Sequence, residues 1–378
     1  MTTVAYCHPL VPPEWIAAHG LQPQWLQPKR SPTAAQGAVR GACAYAGAVV
    51  DAADRGLAAA GLVLTTVCDQ MRYAAAVIDR QGRQPVFLFN VPATWQTAAA
   101  RQLYLDELRR LGRFLVQLGG KSPSAEELVG RMQTFAAARA ALLAARDRLS
   151  PRQLAAALAR LRSADLGIDG SMTSAFPFPG GMPSRGVAAG RHVSDHVEHA
   201  HPALRVVRAC HPPPSPSRAP RSGRLPQGAR EVVPLAIVGG PLVEKDFDLF
   251  DLVGGCGGRV VLDATEGGTR MLPAAFNPER MAEDPLAELA RAYFEGTPDV
   301  FRRPNDALFT WLERELAERG VRGLLFRRYV WCDLWHAELH RFRQWSPVPL
   351  LEIDVHHDDQ GAGPRIAGRV EAFLEMLQ

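Results

Sequence analysis

The sequence predicts an α/β fold: two domains, each built on a parallel sheet flanked by helices, joined through further helices and an irregular segment rich in Pro, Arg and His. Three observations lead there. Apolar, β-branched runs of strand length recur in both halves of the 378 residues, stretches of helical period separate them, and the alternation lapses between 167 and 230. Alternating strands and helices specify parallel pairing, because the chain must cross back over the sheet before laying down the next strand in the same direction.

In chain order, "TVAYC" and "GLVLTTV" read as buried strands ending at Cys7 and beside Cys68, and "QPVFLFNV" as a third between Gln84 and Val91. Beyond "VPATW", Tyr104, Leu108, Leu111, Leu115 and Leu118 recur at spacings of three and four, one face of a long helix closed by Gly119-Gly120. This completes a first domain over 1–120. In the helical segment 121–166, Ser124 and Glu127 form a capping-box signature, hydroxyl and carboxylate satisfying N–H groups that a helix start leaves open. Ser150-Pro151 starts another helix. Over 167–230, Pro, Ser, Arg and His replace the periodic apolar residues. Such a composition buries too little surface to offset the entropy of ordering, so an irregular linker is expected, as a disordered insertion or a shifted reading frame would produce. The second domain spans 231–378, with "VVPLAIVGG", "GRVVLDA", "GLLFRR" and "PLLEID" as strands and helices near 284–294, 305–319, 333–345 and 365–377.

Composition excludes several classes. The formal net charge is +4 and no basic run alternates with aromatics, so no nucleic-acid partner is expected. No apolar run reaches the roughly 18 residues of a membrane span, and the opening "MTTVAYCHPLVPPEW" lacks a signal-peptide pattern. Six cysteines are too few for a disulfide scaffold of this length, which points to a cytoplasmic protein with reduced thiols or metal ligands.

Reactive groups in open parallel sheets gather beyond the carboxyl ends of strands. Cys68 and Cys332 occupy such places, each followed by Asp and a helix, and Cys43 opens the helix leading into the Cys68 strand. Three thiolates meeting there would suit an iron–sulfur cluster or zinc and leave one metal position open. Isolated cysteines are more often small buried hydrophobes, and no CxxC pair decides between the two readings. Cys7 is read as buried or near the site, and Cys256 in "GGCGG" as part of a tight turn. His336 and His340 in "HAELH" lack the HExxH order and are read as a solvated helix face. His192, His196, His199 and His201 are not expected to form a dedicated metal site. "VGGPLVEKD" lacks GxGxxG, although such a turn can approach a phosphate through backbone N–H groups.

Taken in order, "CHPLVPPEWIAAHGLQP", "CAYAGAVVDAADRGLAAAGLVLTTVCDQMR", "PVFLFNVPATW", "DPLAELARAY", "GVRGLLFRRYVWCD" and "PRIAGRVEAFLEML" resemble the 2-hydroxyacyl-CoA dehydratase and benzoyl-CoA reductase subunit family over roughly 1–165 and 232–378. The resemblance implies two flavodoxin/Rossmann-like domains and a [4Fe-4S] cluster held by Cys43, Cys68 and Cys332 as ligands. It also implies the radical (ketyl) dehydration of a 2-hydroxyacyl-CoA to an enoyl-CoA, with an electron lent by an ATP-dependent activator protein and later recovered, beside a homologous dehydratase-type subunit. Asp69 and Asp333 are read as caps of the helices they precede. No extra cysteine lies near "FEGTPDVFRRPND", which favours a simple cubane over the family's double cubane. Two alternatives stand beside this reading: a benzoyl-CoA reductase-like subunit, and a cluster-free α/β binding or assembly subunit, against which the three cysteines argue. Acid and base residues are left unassigned.

Overall fold

The computed structural model describes residues 1–29, 41–165, 232–356 and 362–378. The segment 167–230, expected to be an irregular linker, lies outside the described residues, as do the four histidines between 192 and 201.

The first half runs β1 (Thr3–Tyr6), α1 (Pro13–Ala18), β2 (Gln22–Trp25), α2 (Ala44–Asp54), β3 (Gly61–Thr65), α3 (Asp69–Gln81) and β4 (Val86–Phe89). Its strands form one all-parallel sheet in the order β2-β1-β3-β4. Three helices follow: α4 (Ala98–Gln117), α5 (Ala125–Ala145) and α6 (Pro151–Arg162). The second half runs β5 (Val233–Gly239), α7 (Asp248–Gly255), β6 (Gly258–Ala264), α8 (Pro278–Glu283), α9 (Pro285–Phe294), α10 (Asp306–Glu318), β7 (Gly323–Tyr329), α11 (Asp333–Trp345), β8 (Leu350–Val355) and α12 (Ala362–Leu377). Its sheet is again all parallel, in the order β6-β5-β7-β8. Both sheets therefore place their strands second, first, third, fourth. In each, the connections reverse direction between the first strand and the third, which opens a crevice at the carboxyl ends of those two strands.

The central strands are the apolar runs. Val4, Ala5, Tyr6, Leu62, Val63 and Leu64 in one sheet, and Leu235, Ala236, Ile237, Val238, Leu324, Leu325 and Phe326 in the other, are fully buried. Strand β2 is the element that the apolar pattern does not foretell. Its sequence, QPQW, contains a proline and two glutamines, but it pairs along one side only, with β1, and an edge strand tolerates a residue that lacks one ladder donor. Gly239 is required by close approach: an added β-carbon would lie 2.0 Å from the Arg327 carbonyl oxygen of the neighbouring strand.

The helices follow their expected faces. Tyr104, Leu108, Leu111 and Leu115 of α4 are fully buried, and the chain leaves the helix through Gly119 at φ +96°. The Ser124–Glu127 capping box forms, with the Ser124 N–H donating to Glu127 Oε2 at 2.7 Å and the Glu127 N–H to Ser124 Oγ at 3.1 Å. Ser150 makes the equivalent box with Gln153. Helix α1 is clamped on two sides. Trp15 Nε1 donates to the Leu108 carbonyl at 2.8 Å, and the fully buried Glu14 receives Arg139 of α5 and, at 2.7 Å, the Tyr293 hydroxyl of α9.

Candidate functional site

A cavity of about 190 Å³ lies where the carboxyl ends of the central strands from both sheets come together. His8 follows β1, Thr66 and Cys68 follow β3, Pro241 follows β5, Glu266 follows β6, and Cys332 follows β7; Cys7 and Cys43 complete the thiol set. Cys43, Cys68 and Cys332, from widely separated parts of the sequence, thus rim one space. It is several times the roughly 30 Å³ that one water occupies in the liquid. Among the described residues, no group of three His, Cys, Asp or Glu side chains is packed closely enough to hold a single metal ion.

Each of these three cysteines is the N-cap residue of a helix: Cys43 of α2, Cys68 of α3 and Cys332 of α11. The Cys43 thiol accepts the Ala46 N–H at 3.4 Å, and its own N–H donates to Gln70 Oε1 at 3.0 Å, tying the start of α2 to α3. The Met71 and Trp335 amides stand at the same offset from Cys68 and Cys332 and favour their thiolates, without completing the cap hydrogen bond. Three helix N-termini, each carrying partial positive charge and unsatisfied N–H groups, therefore surround one space, an arrangement suited to a negatively charged occupant. The expectation for the aspartates is corrected. Asp69 and Asp333 are first-turn residues inside their helices, because the N-cap position belongs to the cysteine before each. Asp69 is exposed and pairs with Arg72 at 3.5 Å.

Burial pushes all three thiols up, Cys332 to about 12, and the thiols also raise one another: Cys68 is raised by Cys43 and Cys332, and Cys332 by Cys43. The buried Arg327 works in the opposite direction on Cys43 and Cys332. Thiols raised in this way must release protons to bind a metal centre as thiolates. Trp331, immediately before Cys332, sits in the left-handed region at φ +71° and leaves its indole 54% exposed. A non-glycine residue there costs about 1–2 kcal/mol, strain held at the site by the surrounding turn.

Cys7 is buried against the same cavity, its thiol pushed up first by burial and then by Glu266. Cys256 ends α7 and is followed by Gly257 at φ +90°, the tight turn expected of it. His336 lies on α11 against Arg328, away from the cavity lining.

Sequence reasoning missed the polar wall of the cavity: His8, Glu266 and Asp299. His8 Nδ1 accepts the Leu10 N–H at 3.2 Å, so the ring hydrogen sits on Nε2, which lies 3.7 Å from Glu266 Oε1. Burial raises the Glu266 carboxyl to about 8, helped by the negative Asp299, and burial lowers His8 to about 4. Both shifts favour the neutral pair over the ion pair. Burial pushes Asp299 up, but Arg270, bonded at 2.7 Å, together with His8 and the Phe301 N–H, holds it below its usual range. Two carboxyl groups on one cavity are thus shifted in opposite directions, Glu266 up and Asp299 down. The only sequence signal for Glu266 is its place just past a strand end.

A family model described as the 2-hydroxyglutaryl-CoA dehydratase D-component matches residues 10–162 and 191–377. The match includes 191–231, a stretch that composition alone sets apart. Among curated proteins, none matches the chain. No helix among the described residues is long and apolar enough to cross a membrane.

Proposed function

Because the chain belongs to the 2-hydroxyglutaryl-CoA dehydratase D-component family, we propose that it is the iron–sulfur subunit of a 2-hydroxyacyl-CoA dehydratase-type enzyme, holding a [4Fe-4S] cluster on Cys43, Cys68 and Cys332. The observation that carries this reading is the placement of three cysteines, each a helix N-cap, around one cavity at the switch points of two parallel sheets. The donor set fits the group: soft thiolates suit iron–sulfur clusters, and three of them leave one iron open.

When bound, such a cluster supplies a Lewis-acidic iron for a thioester carbonyl and a store for one electron. The protein's share is the rest. The helix N-termini at the three cysteines offset the charge of the thiolates, Arg327 adds a buried cation behind Cys43 and Cys332, and the apolar wall limits water. The proposed partners are a homologous dehydratase-type subunit, which completes the enzyme, and an ATP-dependent activator protein, which lends the electron.

Anaerobic reconstitution followed by iron and sulfide assays and EPR tests the assignment. About four irons per chain are expected, falling by more than half in each of Cys43→Ala, Cys68→Ala and Cys332→Ala, while Cys256→Ala stays at the wild-type level. Wild-type iron content in the Cys332→Ala protein would remove Cys332 from the ligand set. A chain that takes up no iron at all would favour a cluster-free binding or assembly subunit.

A further inference from the structure

We propose that Glu266, beside His8, is the residue that gives a proton to the departing hydroxyl group of the substrate and takes one from its C3. This inference rests on the dehydratase reading above.

Geometry carries it. Glu266 stands on the loop after β6, its backbone N–H reaching the Gly240 carbonyl at 3.4 Å, and its side chain lines the same cavity as Cys43, Cys68 and Cys332 while remaining 13% exposed. It is enclosed enough to exclude bulk water and open enough to meet a ligand. His8, 4% exposed, is fixed by the Leu10 N–H on one nitrogen, and its other nitrogen lies 3.7 Å from Glu266 Oε1, within electrostatic reach of the carboxyl group. Around them, Asp299 is committed to Arg270, and Arg162 to the carbonyls of Gly267 and Gly268. Asp69 and Asp333 also line the cavity but stand exposed at its rim, so Glu266 is the enclosed carboxyl group on this wall that makes no direct hydrogen bond to a cation, which leaves it free to exchange a proton with a ligand.

The reaction needs such a group. Converting a 2-hydroxyacyl thioester to the enoyl thioester breaks the C2–O bond and a C3–H bond and forms the C2–C3 double bond; the hydroxyl needs a proton to leave as water, and C3 must give one up. Glu266 supplies the first proton and, as carboxylate, accepts the second, so it ends as it began. The electron lent by the activator is returned, and there is no net redox change. His8 is a positioning residue: its Nε2–H steadies the carboxylate between the two transfers.

Infrared spectra of the full-length protein without its cluster, recorded at neutral pH in H2O and D2O, provide an arm that needs no metal. The carbonyl stretch of a protonated carboxylic acid should vanish in Glu266→Gln and shift in His8→Leu. If Glu266→Gln removes no such band, the proposal falls. In the assembled enzyme with partner subunit, activator and a 2-hydroxyacyl-CoA, Glu266→Gln should lower kcat by about 10²–10⁴-fold, with KM and the cluster EPR signal unchanged and Glu266→Asp recovering part of the loss. A folded, cluster-loaded Glu266→Gln enzyme that keeps its kcat would overturn the assignment. If the wild-type assembly shows neither cluster nor turnover, the dehydratase reading itself fails, and with it the catalytic role; the infrared arm then still decides whether Glu266 holds a proton.

Discussion

Burial moves the Glu266 carboxyl from 4.5 to about 8 and the His8 imidazole from 6.5 to about 4, so the two residues tie stability to pH in opposite directions. A carboxyl raised on folding contributes stability that is complete below its unfolded value and is lost as pH climbs from 4.5 through 8. A histidine lowered on folding contributes stability that is present above 6.5 and lost as pH falls toward 4. The charged groups facing the pair, Asp299, Arg270 and Arg162, with Arg302 toward His8, are all buried. Melting temperatures measured across the range should therefore show Glu266→Gln gaining on the wild type between pH 4.5 and 8, with a slope of up to about 1.4 kcal/mol per pH unit and no further gain above 8. A constant difference across that range would mean that Glu266 titrates normally. Gly239 offers a residue-scale check on the second sheet. Gly239→Ala should cost several kcal/mol in urea denaturation, because a β-carbon 2.0 Å from the Arg327 carbonyl forces β5 and β7 apart.

Helix α1 shows what an element owes to its neighbours. It is only six residues long, too short to persist by propensity, and it is held by Trp15 on α4 and by the buried Glu14 between Arg139 and Tyr293. Removing one partner strands a buried charge, so Arg139→Met should destabilise the protein by about 3–5 kcal/mol, whereas Glu14→Gln together with Arg139→Met should recover part of that loss. Ser124→Ala at the exposed start of α5 should cost about 1 kcal/mol, since only the Glu127 N–H loses its partner and water can replace it. Equal costs for Arg139→Met and Ser124→Ala in chemical denaturation would show that the Glu14 cluster contributes no more than a surface cap.

At the scale of the whole molecule, two sheets with the same strand order bring their central strands' carboxyl ends to a common cavity. Each central strand is hydrogen-bonded on both sides and fully buried, so in native-state hydrogen exchange the amides of Leu62–Leu64 and Leu324–Phe326 should be among the slowest, and those of the edge strand Gln22–Trp25 faster by at least tenfold. Similar protection in β2 would mean that another segment covers that edge.

Much of this architecture was legible in the residues. Seven of the eight strands contain an apolar stretch that marks them in the sequence, and burial of the central ones on both faces requires it. The capping box at Ser124 and the buried stripe from Tyr104 to Leu115 are local, satisfied within a few residues of where they are written. The positions of Cys43, Cys68 and Cys332 at strand ends and helix starts were legible for the same reason. Strand β2 was not, because its structure comes from an edge offered by β1 and not from its own QPQW. Nor was the role of Asp69 and Asp333, since which residue takes the cap depends on the backbone angles of the cysteine before it. The polar wall was hidden altogether. His8 and Glu266 follow strands of different sheets, far apart in sequence, and neither belongs to a motif; their proximity exists only because two crossover topologies place both strand ends on one cavity. Sequence by itself determines interactions that close within a turn or a strand, while the meeting of thiols, imidazole and carboxyl is decided by how the strands are ordered, which no short-range pattern encodes.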